Sequence, residues 1–211
     1  MLFDFAGLSG SERYKLLVAT ITPRPIAWVV SQNAAGRLNA APFSFFNAFS
    51  GEPPVVGIGV SSHEPGRPKD TRRNILETGE FVVNLVSEET VEAMVITAIE
   101  FEEEVDELIQ AGVGTLPSVK VKPPRILTSP VAMECELMQT VDLGGDNALL
   151  LGRVLAMHVR DELVLDAAKR YIDTPNLKLV GRMHGTGWYA RTRDLFEAPR
   201  IPRASWSLRA G

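Results

Sequence analysis

PIAWVVSQNAAGRLNAAPFSFFNAFSGEPPVVGIGVSS, residues 25–62, decides how this chain is read. Its first seven residues are rich in β-branched and aromatic side chains and end at QNAAGRLN, a polar turn carrying Gly36. LNAAPFSFFNAF follows as an extended aromatic segment. PPVVGIGVSS is then a Val/Ile run opened by prolines and closed by Ser61 and Ser62. Elements in such quick succession predict antiparallel pairing, because parallel strands need a long crossover between them. The aromatic segment raises a further question. Phe43, Phe45, Phe46 and Phe49 are interleaved with Ser44, Asn47 and Ser50, making a wall that is half apolar and half hydrogen-bonding.

Downstream the pattern changes. KDTRRNILETG reads as a short helix through Glu77, with Asp70 or Thr71 as its cap and Gly79 ending it. EFVVNLV reads as a strand. Residues 88–110 predict a helix, with acids in the first turn and an apolar face of Val91, Met94, Val95 and Ala98; its acidic remainder reads as a solvated face. Alternation through Met133, Cys135 and Leu137, with the turn GGDN, predicts two long paired strands. VLDAAKRYID reads as a short helix, and the tail from Asn176 onward as a strand, a glycine turn and a proline-broken extension. No repeat or linker divides residues 1–211. The expectation is one mainly β domain with peripheral helices, closed into a barrel, with a helical insertion near 88–110 and a C-terminal extension.

Composition narrows the function classes. The 211 residues carry a net charge of −4, which argues against a general nucleic-acid binder. No apolar run is long enough to span a bilayer, so no membrane partner is expected. MLFDFAGLSGSERYK lacks a basic region ahead of a long apolar stretch and does not read as a secretory signal. Cys135 is the one cysteine, so no internal disulfide forms, and a cytoplasmic home is expected. His63, His158 and His184 are scattered, with no HExxH or paired cysteines, so no metal site is expected. GIGVSS has no helix after it as a dinucleotide fingerprint requires, GRMHGTG lacks a P-loop ending, and no GxSxG elbow occurs.

SSHEPGRPKDTRRN, residues 61–74, is the remaining candidate. Ser61, Ser62 and Thr71 offer hydroxyls, Arg67, Lys69, Arg72 and Arg73 offer cations, and a helix begins nearby. Those are the parts of a phosphate site, although a soluble basic loop before a capped helix has the same composition. A phosphate beside the aromatic wall suits a ligand with a flat, polar-edged ring. Ala40 and Ala41 would let the backbone approach it, and Ser44 and Asn47 would reach its edge. Flavin mononucleotide (FMN) fits that description, as do other aromatic nucleotides.

TPRPIAWVVSQNAAGRLNAAPFSFFNAFSGEPPVVGIGVSS together with KDTRRNILETGEFVVNLV resembles the flavin reductase-like family, in its flavoredoxin branch of FMN-binding proteins. The resemblance is close over about residues 15–90 and resumes more weakly at LGRVLAMHV and LVGRMHGTGWYAR. It implies an antiparallel, Greek-key-type split β-barrel, a homodimer, and FMN near the subunit interface. By position it assigns Asn39, Ala41, Ser44, Phe45 and Asn47 to the ring and ribityl chain. Ser61, Lys69 and Thr71 go to the phosphate, Asp70 to the turn, and Arg24 to the cofactor's surroundings. His184, Trp188 or Tyr189 would approach the flavin, although MHGTGW departs from the commoner pattern. Other readings stand beside these. Phe43, Phe46 and Phe49 read as core rather than cofactor contacts, Asp70 would serve as a helix cap, Arg24 as the partner of an acid, and Trp188 and Tyr189 as an in-and-out strand pair.

The implied activity is NAD(P)H-dependent flavin reduction, with hydride passing to the flavin and electrons onward to free flavin or a redox partner protein. The flavin would be the reactive centre, so no catalytic side chain is assigned. Two rivals are an electron carrier whose bound FMN is reduced by a partner protein, and a barrel that no longer binds flavin.

Overall fold

The computed structural model describes residues 1–62, 66, 68–102 and 105–206; His63 and Arg67 lie outside the described residues. Helix α1 (Gly10–Thr20) leads into strands β1 (Ala27–Gln32), β2 (Leu38–Phe43), β3 (Phe46–Gly51) and β4 (Pro54–Val60). Helix α2 (Asp70–Thr78), strand β5 (Glu80–Leu85) and the short helices α3 (Val91–Ile96) and α4 (Glu107–Gln110) follow. After β6 (Thr115–Leu116) and β7 (Arg125–Ile126) come the long strands β8 (Val131–Gly144) and β9 (Asn147–Val159). Two small hairpins close the series: β10 (Val164–Asp166) with β11 (Tyr171–Ile172), and β12 (Val180–Arg182) with β13 (Tyr189–Arg191).

Seven strands form one antiparallel sheet in the order β2-β1-β5-β8-β9-β4-β3. Its two edge strands are consecutive in the chain, so the short link Ser44–Phe45 must draw the edges together. The sheet therefore curls into the expected barrel. The Gly59 N–H donates to the Phe45 carbonyl at 2.7 Å, and β2 also touches β4. Gly57 and Gly59 permit this crossing: a Cβ on Gly59 would stand 2.9 Å from the Phe45 Cβ, and one on Gly57 would stand 2.5 Å from the Phe49 ring. The two glycines that looked like half a nucleotide fingerprint serve close chain approach instead.

The barrel interior is filled by Ala27, Val29, Phe43, Ile58, Phe81 and Val83, with Ile75 of α2 closing one end. A second cluster, including Trp28, Val30, Ala40, Met94, Leu108 and Ile126, lies outside the sheet beneath α3 and α4. Strand β1 is thus covered on both faces, which explains why IAWVV lacks the alternation of a half-solvated strand. Each buried Val, Leu, Ile, Phe or Met among them stabilises the fold by about 1.5–3 kcal/mol relative to exposure. Asn84 of β5 is fully buried because it is bonded on both sides: its amide donates to the Trp28 carbonyl at 3.0 Å and accepts from the Ile126 N–H at 2.9 Å. Glu134 of β8, also fully buried, accepts from the N–H groups of Val119 and Lys120 and bonds His158 Nε2 at 2.6 Å, holding the 117–123 loop on the outer face. Among the described residues, no helix is long and apolar enough to cross a membrane.

Three local expectations are corrected. Residues 88–110 are not one helix. At its C-terminal end α3 stops at Thr97, whose hydroxyl turns back to the Met94 carbonyl at 2.8 Å and accepts from Trp28 Nε1 at 2.9 Å. A new helix then begins only where the Asp106 side chain accepts from the N–H groups of Leu108 and Ile109. VLDAAKRYID is a hairpin, because the Asp166 carboxylate accepts from the Lys169 N–H at 3.0 Å and Arg170 adopts φ of +59°, both turn features. In α2 the N-cap position is Lys69, which makes no side-chain cap bond; Asp70 and Thr71 lie inside the helix, and Gly79 ends it at φ +75° as expected. Of the aromatics, Phe43 is buried and Phe46 packs against the core, while Phe49 is 59 % exposed.

Candidate functional site

A cavity of about 590 Å³ opens between β2, the start of α2 and the 97–107 segment. Its wall brings together Asn39, Ala41, Lys69, Asp70 and Thr71, all named from the sequence, and adds Thr97 and Glu107, which were not. Thr71 is buried because the second position of α2 faces β2, and its hydroxyl meets the Asn39 side chain at 2.8 Å. With the amide turned so that its oxygen accepts from Thr71, the Asn39 nitrogen donates to Glu107 Oε1 at 3.3 Å, which satisfies both ends of the amide. Glu107 Oε2 accepts from the Ala40 N–H at 3.1 Å. A continuous bonded path therefore runs from α2 through β2 to α4.

The electrostatics are mixed. Lys69 is partly buried, with its ammonium 5.8 Å from the Phe43 ring centre. Burial pulls it below the ordinary lysine range, against the opposing pull of Glu100. Glu107 is held above the ordinary carboxylate range, chiefly by burial, with Asp106 and Asp70 adding to the rise and the N–H groups of Glu107 and Ala40 opposing it. Asp70 pairs with Arg73 at 2.8 Å. Lys69, at the N-cap of α2, makes no side-chain cap bond, and among the described residues no side-chain acceptor meets the N–H groups of the first turn.

Other residues named from the sequence collect elsewhere. Buried Arg24 donates from Nη1 to the carbonyls of Val18 and Ile21, both at 2.8 Å, from Nη2 to that of Met183 at 2.9 Å, and from Nε to Ser44 Oγ at 3.4 Å. Rather than pairing an acid, it fastens the end of α1 and the C-terminal hairpin beside Ser44. Phe45 lies against Tyr14 of α1, ring centres 6.1 Å apart. His184 and Trp188 sit in the β12–β13 turn with nearly parallel rings, Trp188 exposed and Tyr189 packed inward. Asn47 accepts from the Ala48 N–H at 2.8 Å on the exposed strand β3, and Ser61 is exposed; neither lines the cavity. Pro42 and Phe43 connect the two groups, with Pro42 on the cavity wall and Ser44 one residue beyond Phe43.

A larger cavity of about 830 Å³ flanks α2 on its other side; part of its polar lining is tied to Asp146, while the buried Arg72 Nε has no partner among the described residues. Ser62, the Gly66 N–H and Arg72 all donate to Asp146 at the tip of the β8–β9 hairpin.

Residues 19–174 match the flavin reductase like domain. The chain belongs to the flavin reductase-like family. Within that family setting it is 43 % identical over 208 residues to a protein of Deinococcus radiodurans, covering 97 % of this chain and 91 % of that one. It is similar to the crystal structure of Pseudomonas fluorescens 2-nitrobenzoate 2-nitroreductase, at 34 % identity and a TM-score of 0.87, with 96 % and 97 % of the two chains covered. It is equally similar to nitrilotriacetate monooxygenase component B from Bacillus cereus, at 33 % identity and a TM-score of 0.88, with 94 % and 98 % covered.

The residues present fit a flavin phosphate: a partly buried ammonium, a hydroxyl and a helix start whose N-cap side chain makes no cap bond line the same cavity as small Ala41 and Pro42.

Proposed function

We propose that this flavin reductase-like protein is an FMN-dependent oxidoreductase that uses NAD(P)H as its electron donor and serves free flavin or a redox partner protein. The observation that carries the reading is the cavity itself: Lys69 and Thr71 at the head of α2, joined through Asn39 to the wall of β2, in a chain of this family. Lys69, Thr71 and the first-turn N–H groups of α2 would hold the phosphate, since charge-assisted bonds to an anion relieve the cost of keeping the ammonium away from water. Asn39, Ala41 and Pro42 would stand along the rest of the ligand. Ser44, fixed by Arg24, would lie next along the chain toward the ring. FMN, when bound, supplies the hydride and electron chemistry, and the protein's part is to seat it, orient it and limit water. A nitroreductase and a monooxygenase component among the similar structures support a redox role without choosing its electron acceptor.

An anaerobic absorbance titration of the FMN-loaded protein with NADH, then NADPH, tests the reading. Rapid stoichiometric loss of the oxidised-flavin band with either donor is expected. Bleaching by dithionite alone would replace the reductase with an electron carrier fed by another protein, and failure to take up FMN would remove the flavin site.

A further inference from the structure

The end of the cavity suited to an anion is also lined by a carboxylate. Glu107 is bonded to two neutral donors, the Ala40 N–H and the Asn39 amide, and Asn39 in turn is bonded to Thr71. One side chain thus separates Glu107 from the hydroxyl assigned to the phosphate. The surrounding charges are Asp70 and Arg73 on α2, Lys69 at its cap, Asp106 beside Glu107 on α4, and Glu100 and Glu102 on the covering segment. An ionised Glu107 and a dianionic phosphate in this space repel each other, and repulsion in a partly buried site is poorly screened.

We infer that Glu107 is the charge-sensing residue of the cavity: a phosphate seated at Lys69 and Thr71 binds together with a proton taken from solvent onto the Glu107 carboxyl. This rests on the reading of the cavity as the FMN site. The coupling is reciprocal, so whatever protonates Glu107 strengthens retention of the phosphate, and bound phosphate draws a proton to Glu107. Burial already predisposes Glu107 to hold a proton above the ordinary carboxylate pKa of 4.5. As pH rises the group ionises, and affinity falls. A protonated carboxyl keeps an oxygen for the Ala40 N–H and another for Asn39, so the wall of the cavity need not rearrange.

The test compares FMN and riboflavin binding to the FMN-free full chain between pH 5 and 8.5 at fixed ionic strength, in wild type, Glu107→Gln and Glu107→Asp. Subtracting the Glu107→Gln profile removes the titration of the FMN phosphate itself. Glu107→Gln is expected to bind FMN about tenfold more tightly than wild type at pH 8 and to lose the excess pH slope. Riboflavin, without the phosphate, should show the same slope in both, and Glu107→Asp should keep the wild-type FMN slope. Parallel FMN profiles in wild type and Glu107→Gln, weaker FMN binding by Glu107→Gln, or a flat profile in Glu107→Asp would overturn the inference alone. Failure of all three proteins to bind either flavin would overturn it together with the FMN reading.

Discussion

Glu134 shows how much a single side chain holds in place. Burial pushes its carboxyl upward, but the Val119 and Lys120 N–H groups and His158 outweigh this and leave it below the ordinary value of 4.5. A depressed pKa in the folded state means stability that is fully present above the unfolded value and is lost as pH falls through the folded one. Glu134→Ala strands two N–H groups and a histidine, so we expect a loss of about 3 kcal/mol in urea unfolding at pH 7. The loss should shrink in acid, where the wild-type carboxylate is itself titrated. A pH-independent difference would mean that packing, not charge, fastens the 117–123 loop. At this scale the sequence was legible where chemistry is local. Lys69, Asp70 and Thr71 stand together in the chain and meet in the cavity with Asn39 and Ala41. Glu107 was not legible, because it sits among acids that read as a solvated face, and only tertiary contact with Asn39 and Ala40 distinguishes it. Arg24 was noticed, but its bonds were not legible, since its donors serve carbonyls from residues as distant as Met183 rather than an acid.

Among the elements, the aromatic segment crosses β4 at close range. Gly59→Ala places a methyl 2.9 Å from the Phe45 Cβ and near the Phe45 carbonyl, neither of which can swing aside. Gly57→Ala meets the Phe49 ring instead, an exposed side chain free to move. Thermal or urea unfolding should therefore show Gly59→Ala losing about 2 kcal/mol and Gly57→Ala well under half of that. Equal losses would indicate that the Phe49 ring is held. Strands β1, β4, β5, β8 and β9 were readable because their β-branched runs end at prolines, glycines or polar turns. The 88–110 and 164–173 segments were not, because apolar spacing suggested helix while Thr97, Asp106 and Asp166 bonded their side chains to nearby backbone. Such competition depends on geometry that spacing alone does not encode.

The whole sheet is organised from its middle. β1 and β5 are neighbours buried on both faces, whereas β3 is an edge strand with most of its residues exposed. Amide hydrogen exchange should find Val29, Val30, Val82 and Val83 opening only with global unfolding, and the exposed residues of β3 exchanging far sooner. Protection of β3 equal to that of β1 would mean that its edge is covered in solution. The barrel class was legible from short antiparallel spacing, but the strand order was not, since nothing local to β4 names β9 as its neighbour. That pairing also has a timetable. β4 ends at Val60, while β9 starts at Asn147. On the ribosome, the Val-rich ladder of β4 emerges long before the strand that will cover its open side. A nascent chain halted in that interval would offer an unpaired apolar edge to any extended peptide nearby, so translation speed through residues 61–159 becomes part of what this protein needs in order to fold cleanly.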